Sequence, residues 1–279
     1  MADHPFSATP LPEGSRIACR VEYLGTGYNG WQVQPHEGVV TVQGELELAL
    51  AEVAGRPVRV HCAGRTDTGV HGHCQVVHFD APVARSAKAW VLGVNANLPP
   101  DIRVHWAVAV DAAFHARHSA LARRYRYVIA NTQIRPALLV DRVCWHRRPL
   151  DAAVMREAGQ VLLGEQDFSA FRAASCQSVS PMRNVQLLEV SRSEDLLLID
   201  IQANAFLHHM VRNIAGSLMA VGDGRKSAAW LREVLAGRDR TRAADTAPAC
   251  GLYFVRVHYP PETGLPEEPE GSPMPGLFT

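Results

Sequence analysis

The residues with the clearest capacity for chemistry lie in one glycine-rich stretch. Residues 62–74 have the sequence C-A-G-R-T-D-T-G-V-H-G-H-C, in which Asp67 is the lone carboxylate and follows Arg65 by two positions. A neighbouring guanidinium favours the ionised form of a carboxylate, which suits a nucleophile or a base better than a general acid. A plain hairpin turn would need fewer and simpler residues. The alternative interpretation is structural, with Asp67 as an ordinary turn residue and Arg65 as its surface partner.

A second stretch alternates cations with aromatic rings. Residues 123–127 have the sequence R-R-Y-R-Y, so on a strand the two tyrosines share one face, and Arg124 and Arg126 share the other. A tyrosine ring can stack on a nucleobase, and flanking arginines can bind phosphates. The alternative is that both rings lie in the core, which suits Tyr127 better than Tyr125, and that the arginines face solvent.

A third stretch combines a helical stripe with a cation. Residues 206–216 have the sequence F-L-H-H-M-V-R-N-I-A-G, and their apolar members recur at helical spacing. Arg212 lies beside that stripe. It either extends to solvent, as most such arginines do, or points into a cleft where it could pair with Asp67.

Metal and cofactor sites are the weaker hypotheses. Histidines and cysteines surround Asp67, but neither C-x-x-C nor H-x3-H spacing is present there, so we predict no metal. Residues 25–30, G-T-G-Y-N-G, match the dinucleotide pattern G-x-G-x-x-G. Because the next helix begins only near Thr41, no helix N-terminus would meet a pyrophosphate. We therefore predict no nucleotide cofactor, and instead a surface loop whose exposed Tyr28 and Trp31 either touch RNA or pack.

Local patterns predict the elements that position these stretches. Residues 16–24 alternate as a half-buried strand, and Thr41 caps a helix that Gly55 ends. Residues 193–195 turn a hairpin between two strands, and residues 206–221 form a long helix.

The order of these elements indicates two similar units. Residues 16–118 contain a strand, a helix, two strands, a helix and a strand, which is the split βαβ or ferredoxin-like order. The same order restarts in residues 119–260, with one additional helix before the last strand. We predict an α+β fold of two tandem ferredoxin-like, RRM-like units whose mixed, mainly antiparallel sheets join around a central cleft. Residues 1–15 are predicted to be a disordered stub, and residues 261–279 an acidic, Pro-rich and largely mobile tail.

Composition narrows the class of protein. The chain has 28 basic and 28 acidic residues, and nearly all the basic ones are arginine, whose planar fork suits phosphates and base edges. A GC-rich genome produces the same bias, so composition alone does not establish RNA binding. Four acidic residues follow Pro261, which leaves the remainder mildly basic. Scattered cysteines, no secretory leader and no long apolar stretch predict a cytoplasmic protein without a disulfide framework or membrane span.

Six motifs together resemble the bacterial tRNA pseudouridine synthase A family. They are A-G-R-T-D-T-G-V-H-G (63–72), V-N-A-N-L-P (94–99), F-H-A-R (114–117), R-R-Y-R-Y (123–127), G-x-x-D-F-S-A-F-R (164–172) and H-H-M-V-R-N-I-A-G-S-L (208–218). The resemblance covers residues 16–260 in order. It implies an isomerase that needs no cofactor and converts uridine to pseudouridine at positions 38, 39 and 40 of the tRNA anticodon stem-loop. It also implies a homodimer that holds the tRNA across both subunits.

The resemblance implies a role for each candidate residue. Asp67 matches the catalytic aspartate of the family, and Arg65 the arginine that supports the flipped-out nucleotide. Tyr125 matches the tyrosine that stacks on the target uracil and can also serve as the base at C5. Arg212 matches the basic residue that pairs with the aspartate. Thr68 departs from the family, many of whose members have alanine there, but it is small and we expect no effect on activity.

The rival hypothesis is a non-catalytic RNA-binding module, because two ferredoxin-like units also describe tandem RRM domains. The chain lacks the RNP1 signature of such domains, and a binding module would leave residues 63–72 unexplained. One chemical alternative also stays open, since an ionised Asp67 could add either to C1′ of the ribose or to C6 of the uracil.

Overall fold

The computed structural model describes residues 7–36 and 38–266, and it confirms the predicted α+β class. Contacts divide these residues into two compact units. The first contains residues 7–121 and 254–266, and the second contains residues 122–253. Among the described residues, no helix is long and apolar enough to cross a bilayer.

The first unit contains an antiparallel sheet and two helices. Its elements are β1 (Pro10–Leu11), β2 (Arg16–Tyr23), α1 (Val42–Ala54), β3 (His61–Cys62), β4 (His71–Asp80), β5 (Arg85–Ser86), a π-helical turn (Ala89–Gly93) that leads into α2 (Val94–Asn97), and β6 (Ile102–Val110). The strand order is β6, β2, β4, and β3 also pairs with β4. Residues 63–70, which contain Asp67, therefore connect two paired strands.

Helix α1 begins and ends where the sequence predicts. The Thr41 side chain accepts a hydrogen bond from the Gly44 amide, and Gly55 ends the helix in the left-handed region at φ 71°. The helix packs its apolar side chains against one face of the sheet, and the resulting core includes Ile17, Val21, Leu46, Leu50, Val77, Phe79 and Trp90.

The N-terminal segment differs from the prediction of a disordered stub over residues 1–15. Residues Pro10–Leu11 form β1, which pairs antiparallel with β5, and Leu11 is buried in the core of the first unit. Burial of Leu11 and main-chain hydrogen bonds at Ser7, Gly14 and Ser15 hold this polar, Pro-rich segment to the first unit. Residues 1–6 and 267–279, where the rest of the stub and most of the acidic tail were predicted, lie outside the described residues.

The second unit has the same kinds of element. They are β7 (Ala122–Ala130), β8 (Cys144–Trp145), α3 (Ala152–Gly159), β9 (Gly164–Asp167), β10 (Met182–Ser193), β11 (Leu196–Ala203), α4 (Met210–Gly222) and α5 (Ala228–Gly237). The strands β7, β11, β10 and β9 are antiparallel neighbours in that order, and β8 pairs parallel with β7. A last strand, β12 (Leu252–His258), follows in the chain, but residues 254–258 belong to the first unit. The tandem repeat of two complete split βαβ units therefore stays a prediction.

Two predicted features of the second unit have different outcomes. The hairpin is confirmed, because β10 ends at Ser193, β11 begins at Leu196, and Glu194 takes the left-handed conformation that a tight turn requires. The long helix was expected from residue 206, but α4 begins at Met210. His209 has φ 61°, and a left-handed residue cannot continue a right-handed helix.

A cluster of histidine rings lies beside β4 in the first unit. The His78 ring is 5.0 Å from that of His61 and 4.6 Å from that of His115, and its Nδ1 accepts a hydrogen bond from the Ala116 amide. Burial, reinforced by the charges of His115 and His61, lowers the pKa of His78 to about 4. His78 is therefore neutral at pH 7, and its protonation opposes folding.

We predict that this cluster makes stability depend on pH between about 4 and 6.5. The unfolded chain binds a proton at His78 in that range and the folded chain does not, so the free energy of unfolding should rise with pH there. One proton gives a slope of at most about 1.4 kcal/mol per pH unit. Urea denaturation of wild type and His78→Asn, whose amide oxygen can replace Nδ1 as acceptor, measures the slope. The substitution should flatten it, the exposed control His36→Asn should not, and an equal slope in all three proteins would contradict the prediction.

Candidate active site

Asp67 lies in a tight turn of the loop that joins β3 to β4. Its side chain is half-buried, while Thr66 before it is buried and Thr68 after it is exposed. The Asp67 carbonyl accepts a hydrogen bond from the Val70 amide at 3.1 Å, and Gly69 takes φ 78° within the turn. Only glycine adopts that conformation readily, which explains the glycine that follows T-D-T in the sequence.

Arg65 is exposed at the surface of the same loop. Its charge also acts on the thiol of Cys62. Burial raises the pKa of Cys62 to about 12, and Arg65 opposes that rise only in part. Cys62 is therefore a neutral thiol at pH 7 and unsuited to nucleophilic chemistry.

The histidines next to the loop have structural partners. His71 is buried, and its Nδ1 accepts a hydrogen bond from the Gly25 amide at 3.0 Å. His73 lies beside Arg20 and Glu22, and hydrogen bonds from His105 and His73 lower the pKa of the Glu22 carboxyl. These contacts give the histidines of the C-A-G-R-T-D-T-G-V-H-G-H-C stretch a role in packing and hydrogen bonding.

The glycine-rich segment 25–31 packs against the Asp67 loop, and the prediction of exposed aromatic residues there is wrong. Tyr28 and Trp31 are buried, at 6% and 1% exposure. The Trp31 amide donates to the Thr66 carbonyl at 3.0 Å, and a Cβ on Gly30 would lie 2.8 Å from that oxygen. The glycines therefore allow two backbones to approach each other, which is the general reason for glycine at such positions.

Tyr125 lies in β7 with its ring against Phe206. The ring centroids are 5.0 Å apart at 85°, an edge-to-face geometry, and Tyr125 is 8% exposed. The register pairs Tyr125 with Ile201 of β11. The Tyr125 ring is thus held by a second aromatic residue, which comes from the segment before α4.

The arginines on the other face of β7 do not extend into solvent. Arg124 and Arg126 both form ion pairs with Asp200 of β11, at 3.1 Å and 3.0 Å, and Arg126 and Asp200 are buried. One carboxylate thus offsets part of the charge of two guanidiniums. The sequence prediction missed Asp200, although an acidic residue in the apolar run L-L-L-I-D-I was a visible signal.

Arg212 lies in the first turn of α4 and is held by the chain at Ala247. Its Nε donates to the Ala247 carbonyl at 2.8 Å, and its own carbonyl accepts from the Ala247 amide at 3.2 Å. Its charge also reaches Tyr127, where it opposes the rise in pKa that burial causes. The second unit thus brings Tyr125 and Arg212 onto elements that pack together, β7 and α4. Asp67 and Arg65 share a loop of the first unit, and the pairing of Asp67 with Arg212 stays a prediction.

A buried network behind Arg212 was not foreseen. The Asn213 side chain is fully buried, donates to the Phe171 carbonyl at 2.8 Å, and accepts from Arg240 at 3.0 Å and Thr246 at 2.7 Å. These bonds hold residues 240–247 against α4. The signal in the sequence was an asparagine within the apolar stripe of a helix, where an unpaired amide would be costly.

Comparison with known proteins identifies the family. The family model described as tRNA pseudouridine synthase matches residues 20–119 and 158–260. The chain belongs to this family. The matched ranges contain Arg65, Asp67 and Arg212, whereas Tyr125 lies between them.

Similar proteins of the same family cover nearly the whole chain. Proteins named tRNA pseudouridine synthase A from Aeromonas salmonicida, Vibrio campbellii and Coxiella burnetii are 56%, 57% and 52% identical to it. Each alignment covers 92% of this chain and 94%, 96% and 98% of the relative, respectively. Among solved structures, a chain of a Cbf5-Nop10-Gar1 complex is similar at a TM-score of 0.34 and 13% identity, over 85% of this chain and 48% of that one.

The close approach of residue 245 to α4 gives a test of how Arg212 is held in this member of the family. A Cβ on Gly216 would lie 2.1 Å from the Asp245 carbonyl oxygen, so Gly216→Ala must push residues 245–247 away from the helix. We predict a loss of about 1–3 kcal/mol in the free energy of unfolding, the usual cost of overpacking. Urea denaturation measures it.

The matched control is Gly44→Ala, the same substitution inside α1. There the added Cβ would meet no atom closer than the Thr41 side chain at 3.1 Å, and alanine favours a helix over glycine by about 1 kcal/mol. Because the closest atom is a side-chain oxygen at 3.1 Å and not a main-chain oxygen at 2.1 Å, Gly44→Ala should cost clearly less than Gly216→Ala. Equal effects of the two substitutions would show that contact with residue 245 is not what constrains position 216.

Proposed function

We propose that this chain isomerises uridine to pseudouridine at positions 38, 39 and 40 of the tRNA anticodon stem-loop. The family assignment supports tRNA pseudouridine synthesis, and the relatives at 52–57% identity are named for it. The observation that carries the proposal is the Asp67 loop. It lies within the matched range 20–119 and holds a half-buried carboxylate on a tight turn. A module that only binds RNA would leave this loop unexplained.

The reaction needs a nucleophile and a way to hold the base, but no redox partner. The N1–C1′ bond breaks, the uracil turns, C5 bonds to C1′, the proton on C5 leaves to solvent and N1 gains a proton. Asp67 is the nucleophile in this proposal, adding either to C1′ or to C6. An ionised carboxylate can do either without a metal or cofactor.

The target uridine must leave the helical stack to reach Asp67. Flipping costs a few kcal/mol, which stacking on an aromatic side chain can offset by about 1–3 kcal/mol per base. Tyr125 provides that ring in the proposal and is the candidate base at C5. Its edge-to-face contact with Phe206 supports this role, because a ring that is already held loses little freedom when a base stacks on it. Arg65 supports the flipped nucleotide, and Arg212 pairs with Asp67.

Tritium release from C5 tests the nucleophile. With tRNA labelled at uracil C5, wild type should release tritium to solvent at the modified positions, and Asp67→Asn should lose at least about a thousandfold in rate, as removal of a nucleophile does. Chemical derivatisation of pseudouridine then locates the modified positions. Undiminished release by Asp67→Asn would contradict the role of Asp67, and tRNA binding without any release by wild type would favour the RNA-binding module.

Arg65→Lys is the companion variant in that assay. It keeps the positive charge but removes the planar fork, so a slower release with unchanged folding would support a bidentate contact with the nucleotide. Arg232→Lys is the matched control, since Arg232 is exposed on α5 and lies outside every motif named above.

We propose further that the chain acts as a homodimer, as the resemblance implies. Residues 131–145 support this, because they carry several exposed apolar side chains on one short segment, Ile134, Leu138, Val140 and Trp145. Adjacent exposed apolar residues are typical of a surface that another protein covers. A second copy of this chain is the partner proposed.

Light scattering after size-exclusion chromatography tests the dimer. Wild type should have twice the mass of the chain, and Leu138→Asp, at a side chain that is 93% exposed, should shift it towards the monomer. Val179→Asp is the matched control, because Val179 is equally exposed but lies outside the segment. A monomeric wild type would exclude the dimer without RNA, and an unaffected Leu138→Asp would exclude this segment as the interface.

A further inference from the structure

Two buried polar side chains hold the Asp67 loop at Thr66 and at Gly64 in the first unit. The Tyr23 hydroxyl of β2 and the Thr66 hydroxyl are 2.8 Å apart. The side-chain Oε1 of Gln75, in β4, accepts from the main-chain amide of Gly64 at 3.3 Å, and its Nε2 donates to the Gly64 carbonyl at 2.6 Å. The Thr66 carbonyl accepts from the Trp31 amide at 3.0 Å. The residue immediately before Asp67 is therefore fixed through both its side chain and its carbonyl.

Little water is available to replace these bonds. Tyr23 is 3% exposed, Thr66 8% and Gln75 0%. Burial raises the pKa of Tyr23, so its hydroxyl stays protonated and can donate throughout the physiological range. A buried polar group that loses its partner is destabilising, so the loop has a strong preference for the conformation in which both hydroxyls are paired.

The Tyr23 ring has no freedom to move away from Thr66. A Cβ on Gly72 would lie 2.3 Å from the ring, so the backbone of β4 lies directly against it. The Trp31 ring also packs near it, with the two ring centroids 5.7 Å apart. The packed ring therefore holds the Tyr23 hydroxyl in place against Thr66. The ring fills space and the hydroxyl forms the bond, so the two parts can be tested separately.

We propose that Tyr23 and Thr66 are positioning residues for Asp67, a role that rests on the proposed function. The bond between their hydroxyls fixes the peptide that carries Asp67 before the substrate arrives. This hydrogen bond holds the Asp67 carboxylate in the geometry that the reaction requires. A displacement of about 1 Å from such a geometry can lower the rate by a factor of about 100. Neither residue contacts the reacting atoms in this proposal.

Single-turnover tritium release with enzyme in excess tests this role. Tyr23→Phe keeps the ring and removes only the hydroxyl, and we expect the rate to fall about tenfold, the loss of one net hydrogen bond expressed in the barrier. The Kd for tRNA should not change. Thr66→Val should have the same effect, Thr66→Ser should restore the rate, and the double variant Tyr23→Phe/Thr66→Val should be no slower than either single one.

Tyr259→Phe is the matched control. It also removes one tyrosine hydroxyl in the first unit, one that donates to the Ala116 carbonyl at 2.6 Å, outside the Asp67 loop. The tritium-release rate of Tyr259→Phe should equal that of wild type. An unchanged rate in Tyr23→Phe, an equal loss in Tyr259→Phe, or multiplied losses in the double variant would overturn the proposal.

Amide hydrogen exchange gives a readout that does not depend on activity. Without tRNA, the Trp31 amide and the amides of residues 64–70 should exchange about tenfold faster in Tyr23→Phe than in wild type, and not in Tyr259→Phe. Unchanged exchange would overturn the positioning role by itself. Absence of tritium release by wild type, with faster exchange in Tyr23→Phe, would instead overturn the proposed function and leave the structural part standing.

Discussion

The loop that carries Asp67 lies mostly outside the sheet, so neighbouring segments of the first unit must supply partners for its buried main-chain polar groups. Residues 63–70 connect β3 to β4 without helix or strand, yet the residue before Asp67 is buried. Buried amides and carbonyls need partners. They find them in Trp31 of the glycine-rich segment and in Gln75 of β4, so the segment that resembles a nucleotide-binding motif supplies structure to a different site.

In the second unit, buried charged and polar side chains hold the elements that carry Tyr125 and Arg212. Asp200 lies between Arg124 and Arg126 on the face of β7 opposite Tyr125, and Asn213 binds Arg240 and Thr246 behind Arg212. Such networks are costly when incomplete and tolerate few arrangements when complete. They stiffen β7, which carries the ring proposed to stack on the base, and the start of α4, which carries the arginine proposed to pair with Asp67.

The sequence predicted the parts of this architecture that depend on local rules. The Thr41 cap, the left-handed Gly55 and the hairpin after Ser193 follow from the chemistry of single positions, and the structure confirms them. The predictions fail where the burial of a residue depends on main chain that is distant in the sequence. Glycines at 25–30 predict a loop, but not which surface covers it, so Tyr28 and Trp31 were expected in solvent and are buried.

The same limit applies to the second unit and to the N-terminus. The helical spacing of apolar residues extends back to residue 206, but α4 begins only at Met210 because His209 is left-handed. No pattern in the sequence marks that conformation of His209. Leu11 is a single apolar residue in a polar segment, so its burial depends on a space in the core that sequence does not show. For the candidate site, motif resemblance predicts roles for Arg65, Asp67, Tyr125 and Arg212, but it does not predict the contacts of Tyr23, Gln75 and Asn213 with the neighbouring main chain.

Arginine composition is a poor measure of the charge that this protein can offer to RNA. Many of its guanidiniums bind other parts of the chain. Arg16 pairs with Asp80, Arg225 with Asp223, and Arg126 with Asp200. Others donate to main-chain carbonyls, a use for which the planar fork suits them as well as it suits phosphate, as for Arg156, Arg172, Arg192 and Arg212.

These internal contacts reduce the positive charge that the chain can offer to a polyanionic substrate. A guanidinium that already binds a carboxylate or a carbonyl releases fewer counterions when a phosphate approaches, because part of its charge is neutralised or its donors are engaged. In the proposed function, exposed arginines such as Arg65 contact the tRNA, and stacking, which salt does not screen, adds to the affinity. In the proposed function, discrimination among uridines comes from the geometry of the site, where the fixed peptide before Asp67 leaves the carboxylate little room to follow a misplaced base.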